Sequence, residues 1–329
     1  MSKIPVFILS GFLGSGKTTL LKQLLNKCDQ KRVKPAILMN EIGKADMDGE
    51  ILLQNNQKEI VEKLLDGCIC CNQKSEVAGA ITKLLRQKPD VIFIELTGVA
   101  NPEEVVDSLT EPELMESLYL EKVVTVLDGE NVLEYNSIFE ADKELVRTTR
   151  RQIEVADVLV VNKIDLISDS QKEKIKKVIR KQNPASPIFF TTYSEIDVEI
   201  LLGNVTQVKN RVAVAIGGKQ KDNSHHHHHH DEQSHHTHSN TTSFSRINTL
   251  TLDVDRPMKS SKVEKFLKRW RPNLLRAKGY LYVKEECYLL QHVMKRTDWE
   301  PSNYQGRQYL VLIGIDLNIE EIQQEWEKA

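Results

Sequence analysis

The 329-residue sequence predicts an α/β protein: a mostly parallel, doubly wound sheet, then a small C-terminal α+β domain. Two observations carry this. Short, continuously apolar runs alternate with helical patterns up to about residue 210, as in βαβ units whose sheet is covered on both faces. A polar, histidine-rich stretch without periodicity follows, and strand and helix patterns resume at Ser245. The expected organisation is a nucleotide-type α/β domain over 1–212, a disordered linker over 213–244 and an α+β domain over 245–329.

Taken in order, Val6–Leu9, Pro35–Met39, Val91–Ile94, Val123–Leu127, Val158–Val161 and Ile188–Phe190 read as strands. Helical patterns fall at 16–28, 74–87, 143–155 and 169–182. In the C-terminal part a strand is expected at 247–254 and a helix at 259–270. Strands near 279–283, 287–291 and 308–314 come next, then a terminal helix. The apolar stretch Ile4–Leu9 is too short for a signal sequence and reads as the first strand.

The chain is 40% hydrophobic and 28% charged, with a net charge of −2. That balance supplies no global field to recruit nucleic acid or an anionic membrane. No apolar run approaches the roughly 18 residues of a membrane span. A cytoplasmic location is expected, where thiols stay reduced and clustered cysteines read as metal ligands rather than disulfides.

Directly after the first strand stands Gly11-Phe-Leu-Gly14-Ser15-Gly16-Lys17-Thr18-Thr19, matching G-x-x-x-x-G-K-[ST] at the opening of a helix. Such glycines let backbone N–H groups turn toward phosphate oxygens at a helix N-terminus. Lys17 would reach the β- and γ-phosphates, and Thr18 would offer its hydroxyl to Mg²⁺. Asn162-Lys163-Ile164-Asp165 follows a later strand. A carboxylate at Asp165 can accept both N–H donors of guanine, a pair that adenine lacks. Asn162 and the Lys163 stem would brace the loop and cover the base. The expected fold is therefore a P-loop GTPase. Glu95 and Gly98, in Glu-Leu-Thr-Gly after the strand VIFI, fit the Mg²⁺ shell or a water-orienting acid and a close approach to the γ-phosphate. Asn40-Glu41-Ile42-Gly43 reads as a phosphate-sensing switch. Asp128 reads equally as a second such acid or as an ordinary strand-end carboxylate.

Cys68, Cys70 and Cys71 stand in DGCICC, between that switch and Glu95. Thiolates suit Zn²⁺, Cu(I) or Co²⁺, and Glu41 or water would complete a tetrahedral shell. Cys28 and Cys287 are isolated and read as core residues. Nine of the ten histidines fall in the linker, at His225–His230, His235, His236 and His238, a tract suited to loose binding of several ions. Delivery, storage and a passive spacer are all open readings for it. His292 reads as structural.

Taken together, GFLGSGKTT, NEIG, DGCICC, ELTG, NKID, the histidine-rich linker and LLRAKGYL resemble the CobW-like GTPases, of the SIMIBI class of P-loop proteins. Family members often carry an acid where this chain has Lys44. The resemblance implies a GTP- and Mg²⁺-dependent protein that carries a transition metal to a client metalloprotein. Zinc is expected first and cobalt next, with a homodimer as a further expectation. It places the metal on Cys68, Cys70 and Cys71, and the nucleotide on Gly11 to Thr19, Glu95, Asn162, Lys163 and Asp165. The alternatives are a metal store using the histidine tract, or a cobalt or iron carrier serving cobalamin synthesis or nitrile hydratase activation.

Overall fold

The structure is a computed structural model that describes residues 3–41, 60–65, 74–137, 141–207, 245–293 and 295–328. Lys44, the three clustered cysteines, the histidine tract and the expected linker lie outside them. The N-terminal part opens with β1 (Ile4–Ser10), α1 (Lys17–Gln30), β2 (Pro35–Glu41), β3 (Ile60–Leu65) and α2 (Lys74–Arg86). It continues with β4 (Val91–Glu95), α3 (Pro102–Leu109), α4 (Pro112–Met115), β5 (Leu118–Asp128) and α5 (Val132–Tyr135). Then come α6 (Lys143–Val155), β6 (Val158–Asn162), α7 (Asp169–Gln182), β7 (Ile188–Phe190) and α8 (Glu199–Leu202). Among the described residues the seven strands form one sheet in the order β3-β2-β4-β1-β5-β6-β7, with every neighbouring pair parallel.

Period-2 alternation along the strands sends side chains to opposite faces. Phe7 and Leu9 pack under Leu20, Leu21, Leu24 and Cys28 of α1. Val6 and Ile8 face the other way, toward Ile81 and Leu84 of α2 and Val106 of α3. Farther along that second face, α6 and α7 cover β6 through Ile153, Ile175 and Ile179. The sheet is thus covered on both sides, as its continuous apolar strands require.

The C-terminal part comprises β8 (Ile247–Asp253), α9 (Ser260–Trp270), β9 (Leu274–Val283), β10 (Glu286–Val293), β11 (Arg296–Pro301), β12 (Tyr309–Ile315) and α10 (Ile319–Glu327). Its strands form an antiparallel sheet ordered β11-β10-β9-β12-β8. One face buries Leu252, Leu281, Leu290 and Leu310 against Phe266 of α9 and Trp326 of α10. From the opposite face, Leu275, Tyr309, Val311 and Ile313 enter the cluster that holds Val6 and Ile8. The two sheets share one core.

Charged groups line the same boundary. Arg276 of β9 donates to Asp107 of α3 at 2.9 Å and lies 3.5 Å from Glu104, while Lys278 pairs with Glu111. Asp157, just before β6, accepts from Ser245 Oγ at 2.8 Å, from Val123 N at 2.5 Å and from the backbone N–H of Arg246. Burial pushes its carboxyl up to about 6, against the downward pull of those hydrogen bonds.

Strands β3 and β11 and helix α3 lie where the sequence patterns promised none, and β9 begins at Leu274 rather than near 279. Both unexpected strands are sheet edges, where pairing on one side suffices and polar sequences such as RTDWEP are tolerated. The isolated cysteines are buried as expected, Cys28 on the inner face of α1 and Cys287 in the second domain, where burial raises its pKa. His292 is buried too, with Nδ1 2.7 Å from Thr297 Oγ1.

Candidate functional site

Strand register brings the candidate residues to one end of the sheet. Leu9 pairs with Glu95, Ser10 with Thr125, and Asp128 with Asn162, so the carboxyl ends of β1, β4, β5 and β6 stand side by side. The chain leaves β1 for one half of the sheet and β4 for the other. Ligand crevices of open α/β sheets form at such reversals.

The loop after β1 is built on backbone that side chains rarely adopt. Gly11, Gly14 and Gly16 have φ of 128°, 74° and 111°. A Cβ on Gly11 would lie 2.0 Å from the Val126 carbonyl oxygen, and one on Gly16 would lie 2.4 Å from Asn162 Nδ2. The loop can close in this way only with glycine there. Gly98 is equally constrained, since its Cβ would stand 2.6 Å from Leu13 N, so the β4–α3 loop rests directly on the phosphate loop.

Lys17 is buried, and its Nζ donates to the carbonyls of Gly11 at 2.9 Å and Phe12 at 3.1 Å. Thr18 Oγ1 donates to Glu95 Oε1 at 2.8 Å. A hydroxyl and a buried carboxylate side by side at a helix N-terminus are the oxygen donors that Mg²⁺ takes, with water and phosphate filling its shell. The glycine cradle and this oxygen pair fit a magnesium–nucleotide ligand. Thr19 sits exposed in the first turn of α1.

Asn162 is a brace. Its Nδ2 donates to Ser15 O at 2.9 Å, while its Oδ1 accepts from Ser194 N at 2.7 Å and Thr191 Oγ1 at 3.2 Å. Lys163 adopts φ 62° and its Nζ lies 2.7 Å from Asp128 Oδ2, whose partner oxygen accepts from Glu130 N. Asp128 therefore aims Lys163. Beside this pair, burial and then Asp128 raise the pKa of Tyr135, whose ring packs 4.7 Å from that of Phe12. Asp165 is exposed in a short 3-10 turn over Ile164–Leu166, open at the rim.

Two features escaped the sequence reading. Gln152 of α6 is buried, and its Nε2 donates to the carbonyls of Gly98 at 3.1 Å and Ala100 at 3.2 Å. Its neighbour Arg151 pairs with Glu103 at 2.8 Å, fixing the start of α3. The loop 191–194 after β7 is the second. Ser194 Oγ donates to Gly16 O at 3.1 Å, so this loop closes the phosphate loop from the far side. No local pattern could have announced either residue, because each acts on backbone far away in sequence.

Of the metal candidates, Cys68, Cys70 and Cys71 lie outside the described residues. For Glu41 the backbone alone is described, and its strand position pairs with Leu65. Among the described residues no other group of three histidines, cysteines or acids converges on a metal position, and no helix is long and apolar enough to cross a membrane.

Comparison with known proteins agrees with this geometry. Residues 5–190 match the family model described as CobW/HypB/UreG, nucleotide-binding domain, and residues 247–329 match the cobalamin synthesis protein cobW C-terminal domain. The zinc-regulated GTPase metalloprotein activator 1 of Schizosaccharomyces pombe is 36% identical over 204 residues, covering 60% of this chain. The match spans about half of that relative's length, 48%, as it does for the Dictyostelium discoideum protein of the same name. The zinc chaperone YjiA of Escherichia coli is 28% identical, covering 98% of this chain and 97% of its own. The solved structure of Zn(II)-bound YjiA GTPase from E. coli aligns over 100% of this chain and 99% of its own at 22% identity, with a TM-score of 0.47. With more than half its length under the nucleotide-binding model and the site's parts in place, the chain belongs to the CobW/HypB/UreG family.

Proposed function

We propose that this chain hydrolyses GTP and uses the nucleotide state to control a transition metal, zinc first, held at Cys68, Cys70 and Cys71 and passed to a client metalloprotein. The observation that carries the reading is the shared end of the sheet. Glu41 pairs with Leu65 at the end where Lys17, Thr18, Glu95 and Asn162 gather. Cys68 is bonded three residues beyond Leu65, within a covalent reach of about 10 Å. A phosphate-sensing loop and a thiolate site attached at one sheet end can bias each other, and such coupling is reciprocal. The relatives, a zinc-regulated GTPase metalloprotein activator and a zinc chaperone, support the same direction.

Within this reading each residue has a task. The backbone N–H groups of 14–18 hold the phosphates. Lys17 turns from its loop carbonyls to the β–γ bridge, where its charge offsets the negative charge that develops. Thr18 and Glu95 would hold Mg²⁺ directly or through water; the ion neutralises phosphate charge. Asp165 selects guanine, with Asn162 and Lys163 fixing its loop, and Gly98 approaches the γ-phosphate. The proposed organisation keeps 1–212 as the GTPase domain, 213–244 as a histidine-rich linker and 245–329 as the C-terminal domain, in a cytoplasmic protein capable of homodimerising. Cobalt remains the second candidate cargo. The histidine tract favours one rival, a metal store.

The test is a zinc titration against a chromophoric chelator, on a variant lacking residues 225–238, with GDP and with a non-hydrolysable GTP analogue. The analogue should tighten the high-affinity ion about five- to 150-fold over GDP, and Cys70→Ala should abolish that ion. Equal affinities would leave a metal-binding GTPase without a switch. If deleting 225–238 removes nearly all zinc binding while Cys70→Ala changes little, the store replaces the chaperone.

A further inference from the structure

The loop after β7 contains a feature that the phosphate loop does not explain. Tyr193 and Ser194 both have φ of 54°, the left-handed region that a bulky side chain enters only at a cost. Strain of this kind persists where the surroundings over-determine it, and here they do. Gln23 of α1 donates to Tyr193 O at 3.0 Å, Asn162 Oδ1 accepts from Ser194 N, and Ser194 Oγ bonds Gly16 O. Ile164 N donates to Thr191 O at 3.2 Å, joining the loop to the turn that carries Asp165. All this anchoring presents an aromatic ring to solvent, for Tyr193 is 73% exposed.

Its position is defined by the strands. In the order β5-β6-β7, Lys163 leans toward the β5 side to meet Asp128, whereas Tyr193 stands on the β7 side, with the Asp165 turn between them. A planar ligand with its phosphates on residues 11–18 and its edge on Asp165 would lie between strand ends that carry an alkyl-ammonium stem and an exposed aromatic ring. Those are the two surfaces that hold a π-system from its two faces.

We propose that Tyr193 is a nucleotide-binding residue: its ring packs on the face of the purine, opposite the Lys163 stem, and the strained 191–194 loop exists to hold it there. This rests on the guanine-nucleotide reading above. Asp165 would choose the base by its edge, and Tyr193 would supply affinity through the face, which every purine offers.

The test measures binding of GDP, IDP, ADP and tripolyphosphate to the full chain and to Tyr193→Ala and Tyr193→Phe. Tyr193→Ala should weaken GDP and IDP alike by about five- to 150-fold, the range of a lost base–aromatic stack. Tripolyphosphate, which has no base, should bind both proteins equally, and Tyr193→Phe should bind GDP within about twofold of the unmodified chain. Unchanged GDP binding by Tyr193→Ala, or an equal loss for GDP and tripolyphosphate, would overturn the proposal. Failure of the guanine assignment would appear elsewhere, as ADP binding the unmodified chain as tightly as GDP; the ring's role would then be read from the loss for ADP.

Discussion

The nucleotide end of the sheet and the boundary between the two domains are held by different chemistry. At the nucleotide end, uncharged side chains reach across the fold to backbone: Asn162 to Ser15 and Ser194, Gln152 to Gly98 and Ala100, Ser194 to Gly16. At the boundary, charges are buried in pairs, with Arg276 between Asp107 and Glu104, and Asp157 receives donors from Ser245 and Arg246. The contrast has a physical reason. A site built to meet a polyanion keeps most of its charges for the ligand, and so is braced mainly by neutral groups, the Asp128–Lys163 pair being its charged exception. A permanent boundary can enclose its charges because each partner is always present.

Breaking the boundary should therefore cost the most. Arg276→Ala leaves Asp107 and Glu104 facing each other beneath β9 and should destabilise the fold by about 3–5 kcal/mol. Replacing the pair together, Arg276→Met with Asp107→Leu, should recover most of that loss. Urea unfolding of the two variants measures both, and equal losses would show that the pair's charge is not what matters there. Smaller is the expected effect of Gln152→Leu. It leaves the buried carbonyls of Gly98 and Ala100 without their donor, a cost of about 1–3 kcal/mol. Because those residues rest on the phosphate loop, the rate of phosphate release should fall while GDP affinity stays near that of the unmodified chain. A parallel fall in both would make Gln152 a general support of the fold rather than of the loop.

Asp157 sharpens the comparison through pH. Its carboxyl sits at about 6 in the folded chain, above the ordinary value near 3.8. Between those values the folded state holds more of this proton than the unfolded state, so stability from this group falls as pH rises through the window. It is highest below the lower value and flat above the upper one. The slope is at most about 1.4 kcal/mol per pH unit. Melting curves of the unmodified chain and Asp157→Asn between pH 4 and 7 should therefore differ in slope there and run parallel above it. Parallel curves throughout would mean that the three donated hydrogen bonds offset the burial completely.

How much of this was legible in the sequence follows from the same contrast. The glycines of 11–16 announced themselves because their backbone demands no other residue. Motif order offered Thr18 and Glu95 to one magnesium shell and Asn162 as a brace; their mutual hydrogen bond and the reach of Asn162 to Ser15 and Ser194 had to come from the fold. Helix α3 stayed hidden because it is eight residues long and two of its acids, Glu103 and Asp107, are buried. Buried acids read as surface acids until their cations, Arg151 and Arg276, are seen to arrive from distant elements. Asp128 was open between two roles until Lys163 was seen against it. The exposed ring of Tyr193 follows no motif, since its meaning lies in a backbone angle.

The shared core has a consequence for the chain as a material object. Leu275, Tyr309, Val311 and Ile313 are the lid over the same apolar interior that Val6 and Ile8 line from the other side. A cut anywhere within 208–244 would sever only one covalent connection, but pulling the halves apart would leave each with a greasy face and unmatched charges. Either half taken alone would expose that apolar face and those charges to water, so each is a covering surface for the other.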